Sequence, residues 1–171
     1  MKSKVRAQRI IKLFLLLLFL LLQACQATTP KGLEVVAQVV SGQTLTIRGT
    51  GESRVRLIGI DAPDLQQQPW GQAAKERLEM LIGRESVMLE FDVQDQDSFG
   101  RRLAYVWQDG VLLNELLAAE GYVLILPRSP NNKYDQRLER AQEWARLMGQ
   151  GIWNPENPMR LTPAEFRRQY R

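Results

Sequence analysis

Three short runs of alternating apolar and polar residues, a helical stretch, then two more strand-like runs: this order constrains the fold more than any other feature of the chain. Leu33 to Val40 is β-branched and apolar, Gln43 to Arg48 alternates through Leu45 and Ile47, and Ser53 to Ile60 alternates through Val55, Leu57 and Ile60. Alternation with a period of two gives each run one face for a core. Pro69 to Ile82 reads as a helix, with proline at an acceptable early position and Gly83 as its stop. Its expected buried stripe is Trp70, Ala73, Ala74, Leu78 and Leu81. Strands follow at Ser86 to Val93 and Arg102 to Trp107, turning at Asp109-Gly110. A helix over about Leu112 to Glu120 ends at Gly121, and Tyr122 to Leu126 is extended. Asn132 to Met148 is a helix with Tyr134, Leu138, Ala141, Ala145 and Met148 on one face. Five strands with a helix between the third and fourth is the order of an OB-type barrel. The expectation is an α+β, mainly β domain over residues 33–153: a five-stranded OB-fold barrel with three helices. All four tryptophans are read as core. After a breaker at Asn154-Pro155-Glu156-Asn157-Pro158, residues 154–171 form a basic tail, with a short helix from Pro163.

The first 24 residues stand outside this pattern. They carry Lys2, Lys4, Arg6, Arg9 and Lys12 with no acid, then an unbroken apolar run from Leu13 to Leu22. That run is too short to span roughly 30 Å of hydrocarbon as a helix, and its form is that of a secretory signal peptide. It ends in Leu22-Gln23-Ala24-Cys25, which resembles the lipobox of bacterial lipoproteins, so Cys25 is the expected lipidation site and residues 25–32 a tether. The expected location is exported, anchored in the bilayer through acylated Cys25, on the outer face of the envelope or in the periplasm. Gln26 after Cys25 favours outer-membrane sorting where the cell has one.

Removing this segment changes the charge argument. The whole chain has net charge +4 from 23 Lys+Arg against 19 Asp+Glu, which points to a polyanionic partner. Without the five basic residues of the leader, 18 face 19 acids, so contact with a polyanion depends on local arginines. The chain has no histidine and one cysteine. That excludes histidine-based triads and dyads, histidine-ligated zinc, internal disulfides and thiolate clusters. Chemistry here rests on carboxylates, Arg, Lys, hydroxyls or a hard cation.

Two stretches offer such groups. In Val55-Arg56-Leu57-Ile58-Gly59-Ile60-Asp61-Ala62-Pro63-Asp64, Arg56 alternates with apolar neighbours on a strand read as central, so its guanidinium is expected to be partly enclosed and to need an anionic partner or ligand. Asp61 and Asp64 flank a proline-stiffened turn and could share a hard cation. The plainer readings are a structural ion pair for Arg56 and an Asx-turn for Asp61. In Asp95-Gln96-Asp97-Ser98-Phe99-Gly100-Arg101-Arg102-Leu103-Ala104-Tyr105, Arg101 stands at a strand mouth with a fork suited to phosphate. The plainer reading is a hairpin with a solvated charge pair, Arg101 or Arg102 with Asp95 or Asp97. Gly42 and Gly100 are read as tight-turn residues.

Together these stretches resemble the thermonuclease family, also called staphylococcal-nuclease-like domains. Leu113-Asn114-Glu115-Leu116-Leu117, Asn131-Asn132 and Gly151-Ile152-Trp153 add to the match, which spans about Leu33 to Trp153. The resemblance implies an OB-fold and Ca²⁺-dependent hydrolysis of DNA and RNA phosphodiesters. Position by position it implies Asp61 and the Ala62 main-chain carbonyl as metal ligands, and Asp64 as the carboxylate that positions or deprotonates water. Arg56 and Arg101 match its phosphate-binding arginines.

Three positions depart from the pattern. Gln43, in Ser41-Gly42-Gln43-Thr44, stands in place of a ligating carboxylate and offers at most an amide oxygen, which lowers the expected Ca²⁺ affinity. Asp64 is one methylene shorter than the family's glutamate. Leu126-Pro127-Arg128-Ser129 replaces an aromatic pair that contacts the nucleotide. The sequence therefore supports a secreted, membrane-anchored, calcium-dependent nuclease, with reduced activity a consequence of these departures. The other reading is a non-catalytic OB-fold lipoprotein that binds nucleic acid or an envelope partner. DNA or RNA and the lipid bilayer are the expected partners; no protein partner is evident. The tail arginines Arg160, Arg167, Arg168 and Arg171 are read as a solvated face with optional polyanion contact.

Overall fold

β1 (Leu33–Ser41) serves two neighbours, and its bends explain how. It pairs antiparallel with β5 (Ser86–Glu90) through Leu33, Glu34 and Val35, and with β2 (Thr44–Ile47) from Val36 to Ser41. The register shifts between Val36 and Gln38 and again between Val39 and Ser41. Extra residues of this kind bend and twist a strand, which lets β1 pass from one sheet into the other. β2 pairs antiparallel with β3 (Ser53–Leu57), and β3 lies parallel to β6 (Arg102–Gln108), with Arg56 opposite Leu103. β6 returns to β5, so the order β1-β2-β3-β6-β5 closes into the expected five-stranded OB barrel. β7 (Val111–Leu112) extends β6, while β4 (Ile60–Asp61) pairs with β8 (Leu124–Ile125) in a separate ribbon. The helices are α1 (Trp70–Ile82), α2 (Leu113–Ala119), α3 (Asp135–Leu147) and, in the tail, α4 (Pro163–Tyr170), with a 3₁₀ turn at Gly151–Trp153. The computed structural model describes residues 32–49, 53–83 and 86–170. Residues 1–24, Cys25 and the tether up to Lys31 lie outside the described residues.

Leu45, Ile47, Val55, Leu57, Leu89 and Val106 fill the barrel and meet Leu78 and Ile82 of α1 and Leu117 of α2. Each such side chain contributes about 1.5–3 kcal/mol through burial. A smaller cluster of Ile58, Leu103, Tyr105, Leu112 and Leu138 joins α3 to the barrel. β2 is buried on both faces: Thr44 and Thr46 are covered as well, and the Thr46 hydroxyl donates to the Gln38 carbonyl at 3.3 Å.

The helix faces are rotated from those expected. α1 buries Gly71, Ala74, Leu78 and Ile82, leaving Trp70, Ala73 and Leu81 half-buried on its flanks. The reason is close approach. A Cβ on Gly71 would lie 1.8 Å from the Asp64 carbonyl oxygen, and one on Gly42 would lie 2.6 Å from the Ala74 Cβ. Only small residues allow α1 to press onto the 42–43 turn and the loop carrying Asp64. Gly42 is thus required for contact, whereas Gly100, at φ +75°, is required for its turn. α3 starts at Asp135, and Met148 is exposed. None of the tryptophans is fully buried, and Trp144 at 58% exposure departs most from the core reading.

Two buried amides do the work of loop joints. Asn114 accepts from the Val106 N–H at 2.9 Å and donates to the Ile58 carbonyl at 2.8 Å. Asn131 accepts from the Gln94 N–H and donates to the Gln94 carbonyl, each at 2.8 Å. The family-like Asn residues therefore position the turn after β3 and the loop leading to Arg101.

Candidate active site

β3 carries Arg56 into the interior, where it is 6% exposed. Its Nη1 donates to the Leu57 carbonyl at 2.7 Å and its Nη2 to the Ile60 carbonyl at 2.6 Å. Nη2 also lies 3.8 Å from Asp61 Oδ1. Burial lowers the Arg56 pKa to about 10; Asp61 opposes this, while Arg101, Arg128 and Arg167 push the same way. Arg56 stays charged at neutral pH, under a field set by further guanidinium groups. The enclosure expected from alternation is present, and the ion pair forms.

Asp61 ends β4, where pairing opposite Leu124 fixes its backbone. Its carboxylate is buried, with Oδ1 toward Arg56 and Oδ2 accepting from Arg167 Nη2 at 2.7 Å. The Ala62 N–H donates to Gln43 Oε1, which ties the β1–β2 turn to the start of the Asp64 loop. Asp64 is 8% exposed; its Oδ1 accepts from the Gln66 N–H at 3.0 Å and its carbonyl accepts from the Gln67 N–H at 2.8 Å. The loop is thus folded on itself and clamped by Gly71.

The 95–101 loop delivers Arg101. Its Nε and Nη2 each lie 2.7 Å from Asp97 Oδ2, and the Phe99 and Arg101 N–H groups donate to Asp97 Oδ1 at 2.9 and 3.0 Å. Burial pushes the Asp97 carboxyl up, but these hydrogen bonds outweigh it and hold the group below its ordinary value. The hairpin ion pair weighed from the sequence exists. It also aims Arg101, since the guanidinium lines a cleft.

That cleft, of about 350 Å³, is lined by Gln43, Arg54, Ala62, Asp64, Arg101 and Arg167 among others. Four of the residues singled out in the sequence, Gln43, Ala62, Asp64 and Arg101, therefore share one wall. Asp61 and Arg56 belong to the buried layer beside it, joined to the cleft through Arg167. Arg54 and Arg167 are cleft residues that sequence reasoning missed. Arg54 sits two positions before Arg56 on β3, a spacing that puts both on one face. Arg167 follows a Thr162-to-Glu165 capping-box spacing, the one sequence signal that a docked helix begins there. Cys25 lies outside the described residues.

With α4 docked, these residues do not fit a calcium ion. Ca²⁺ takes six to eight oxygen ligands, with carboxylates prominent. One Asp61 oxygen is held by Arg167, the other faces Arg56, and the Gln43 amide oxygen is taken by the Ala62 N–H. Among the described residues no group of three or more His, Cys, Asp or Glu side chains could hold a metal. What the cleft does present is three arginines, Arg54, Arg101 and Arg167, lining it together with Asp64.

A closed five-stranded barrel with an arginine-lined cleft beside its β1–β2 turn defines an OB-fold protein. Residues 54–155 match the family model described as Staphylococcal nuclease homologue. The chain is 35% identical over 125 residues to a thermonuclease of Staphylococcus hyicus, covering 70% of this chain and 74% of that protein. It is 37% identical over 125 residues to a thermonuclease of Staphylococcus intermedius, with 70% and 74% covered. An uncharacterized endonuclease of Haemophilus influenzae is 31% identical over 164 residues, with 95% and 86% covered, a match long enough to reach past Trp153. The chain belongs to the staphylococcal nuclease family.

Proposed function

We propose that this chain is an exported nuclease that hydrolyses DNA or RNA phosphodiester bonds while held at the membrane by acylated Cys25. The carrying observation is the cleft itself, which Arg54 and Arg101 line together with Asp64. A phosphodiester brings one negative charge, and attack by water at phosphorus adds a second. Guanidinium forks already in place stabilise that added charge without having to reorient. Arg101 is held for this by Asp97. Arg56, with Nη1 and Nη2 each donating to a backbone carbonyl, adds its positive field from below. Asp64 orients the attacking water and accepts its proton. The bond from phosphorus to the leaving oxygen then breaks, and that oxygen is protonated from solvent.

Calcium dependence accompanies the family and forms part of the proposal, with Asp61, the Ala62 carbonyl and Gln43 as the nearest oxygen donors. An ion reaches Asp61 only in exchange for Arg167. The engaged Asp61 and Gln43 oxygens favour a second reading, in which the domain binds nucleic acid without cleaving it. Export and anchoring rest on the basic start, the Leu13 to Leu22 run and the Leu22-Gln23-Ala24-Cys25 box.

The test is cleavage of single-stranded DNA by the chain from residue 25 onward with Cys25→Ser, in Ca²⁺ or EDTA, beside its Gln43→Asp variant. Calcium-dependent cleavage is expected from both, faster with Gln43→Asp. Binding without cleavage in either protein would establish the second reading instead. For the anchor, Cys25→Ser in the full chain is expected to abolish membrane retention, and unchanged detergent partitioning counts against lipidation.

A further inference from the structure

Arg167 reaches the cleft because the tail is docked by specific contacts. The Gln67 amide, three residues after Asp64, donates to the Leu161 carbonyl at 2.7 Å, and the Met159 N–H donates to the Ile152 carbonyl at 2.9 Å. Thr162 and Glu165 then close a capping box. The Thr162 N–H and hydroxyl donate to Glu165 Oε2 at 2.8 and 2.7 Å, and the Glu165 N–H donates to Thr162 Oγ1 at 3.2 Å. Pro163 is buried, and Phe166 and Tyr170 pack together with ring centroids 4.7 Å apart. Both rings line a pocket of about 400 Å³ with Trp70 and Gln67. α4 thus lies beside the Asp64 loop with its aromatic side in that pocket and Arg167 in the cleft.

At its end Arg167 makes one decisive contact, Nη2 to Asp61 Oδ2 at 2.7 Å, where the carboxylate is 7% exposed. The other oxygen of Asp61 faces buried Arg56. A divalent ion at Asp61 would sit beside two guanidinium groups, and like charge at that distance opposes its binding while Arg167 is docked. Gln43 leaves the site one formal charge short, which further favours a monovalent cation there.

We propose that Arg167 is the built-in cation of this site, and that α4 and a divalent metal ion compete for Asp61. The tail is then a strap across the cleft: while Arg167 holds Asp61 no ion binds, and an ion that binds Asp61 releases the helix. This rests on the nuclease reading only for the choice of Asp61 as the ion's position. Binding is measured without substrate, so an inert chain that shows the competition would overturn the nuclease reading and leave this one standing.

The experiment is calorimetric titration of Ca²⁺ alone into three versions of the chain from residue 25 onward with Cys25→Ser: the otherwise native chain, Arg167→Gln and Arg168→Gln. Arg168 is an exposed neighbour that carries the same charge. Arg167→Gln is expected to tighten Ca²⁺ binding by about tenfold, within the usual range for coupled sites, and Arg168→Gln to leave it within about twofold. Hydrogen exchange supplies a second readout. Saturating Ca²⁺ should speed amide exchange across 163–170 in the native chain and leave 135–147 unchanged. The proposal is overturned if Arg167→Gln binds Ca²⁺ no more tightly than the native chain, or if Arg168→Gln gains as much. Calcium binding that leaves exchange of 163–170 unaltered overturns it too.

Discussion

Arg56 and Arg167 face the same carboxylate, one from the neighbouring strand and one from 106 residues away, and the two contacts have different physical standing. Arg56 comes from the same strand–turn–strand unit as Asp61, is itself buried, and spends its donors on the Leu57 and Ile60 carbonyls. Arg167 arrives from 106 residues away on a short helix, and its side chain is 31% exposed. The first pair is part of the barrel, since breaking it would strand a buried charge. The second is a partly exposed contact between segments distant in sequence, the one for which we propose that a divalent ion competes.

The largest expected effect breaks the comparison at its shared member. Asp61→Asn deprives both arginines of their counter-charge and should cost about 3–5 kcal/mol in urea denaturation, the range for orphaning a buried ion. An equal cost from Arg167→Gln would erase the distinction between the two pairs. Next is Arg101→Ala, which should lower kcat/KM for single-stranded DNA by about a hundredfold or more, as for loss of a donor to developing charge. The loss should appear without a comparable change in stability. Gly71→Ala should destabilise the fold by about 1–3 kcal/mol through overpacking against the Asp64 carbonyl. It should also impair cleavage beyond that of an equally destabilised core variant, because the Asp64 loop must move.

Arg167→Gln is expected to cost less than about 1 kcal/mol, as partly exposed pairs do. The smallest effect concerns pH. Asp97 is held below its ordinary value, so the unfolded chain takes up the proton first as pH falls. Its contribution is present above the unfolded value of 3.8 and is lost as pH drops through the lower folded value. Asp97→Asn should flatten the stability curve in that acid window, measured by denaturation at stepped pH.

The barrel was legible because apolar residues alternate along its strands, as Val55 and Leu57 do around Arg56, and Arg56 is enclosed because β3 is covered on both faces from Val55 to Leu57. The hairpin ion pair of Arg101 was legible for a similar reason, since Asp97 lies on the same turn. The faces of α1 were not, because their rotation is set by backbone approach at Gly42 and Gly71, where apolar periodicity carries no information. Arg167 was read as solvated for want of any local partner. Its place depends on Gln67 catching the Leu161 carbonyl across 94 residues, a tertiary contact with no periodic trace. The exposure of Trp144 likewise escaped a reading by residue type.

Which arginines meet the substrate distinguishes the cleft from the buried layer beside it. Side-chain guanidinium signals can be followed by NMR while a short oligothymidylate is added to the chain without any divalent ion. The Nε resonances of Arg101 and Arg167 are expected to shift together and saturate, while that of Arg56, locked on its carbonyls, stays in place. A titration in which Arg56 moves while Arg101 and Arg167 do not would contradict the assignment of the cleft.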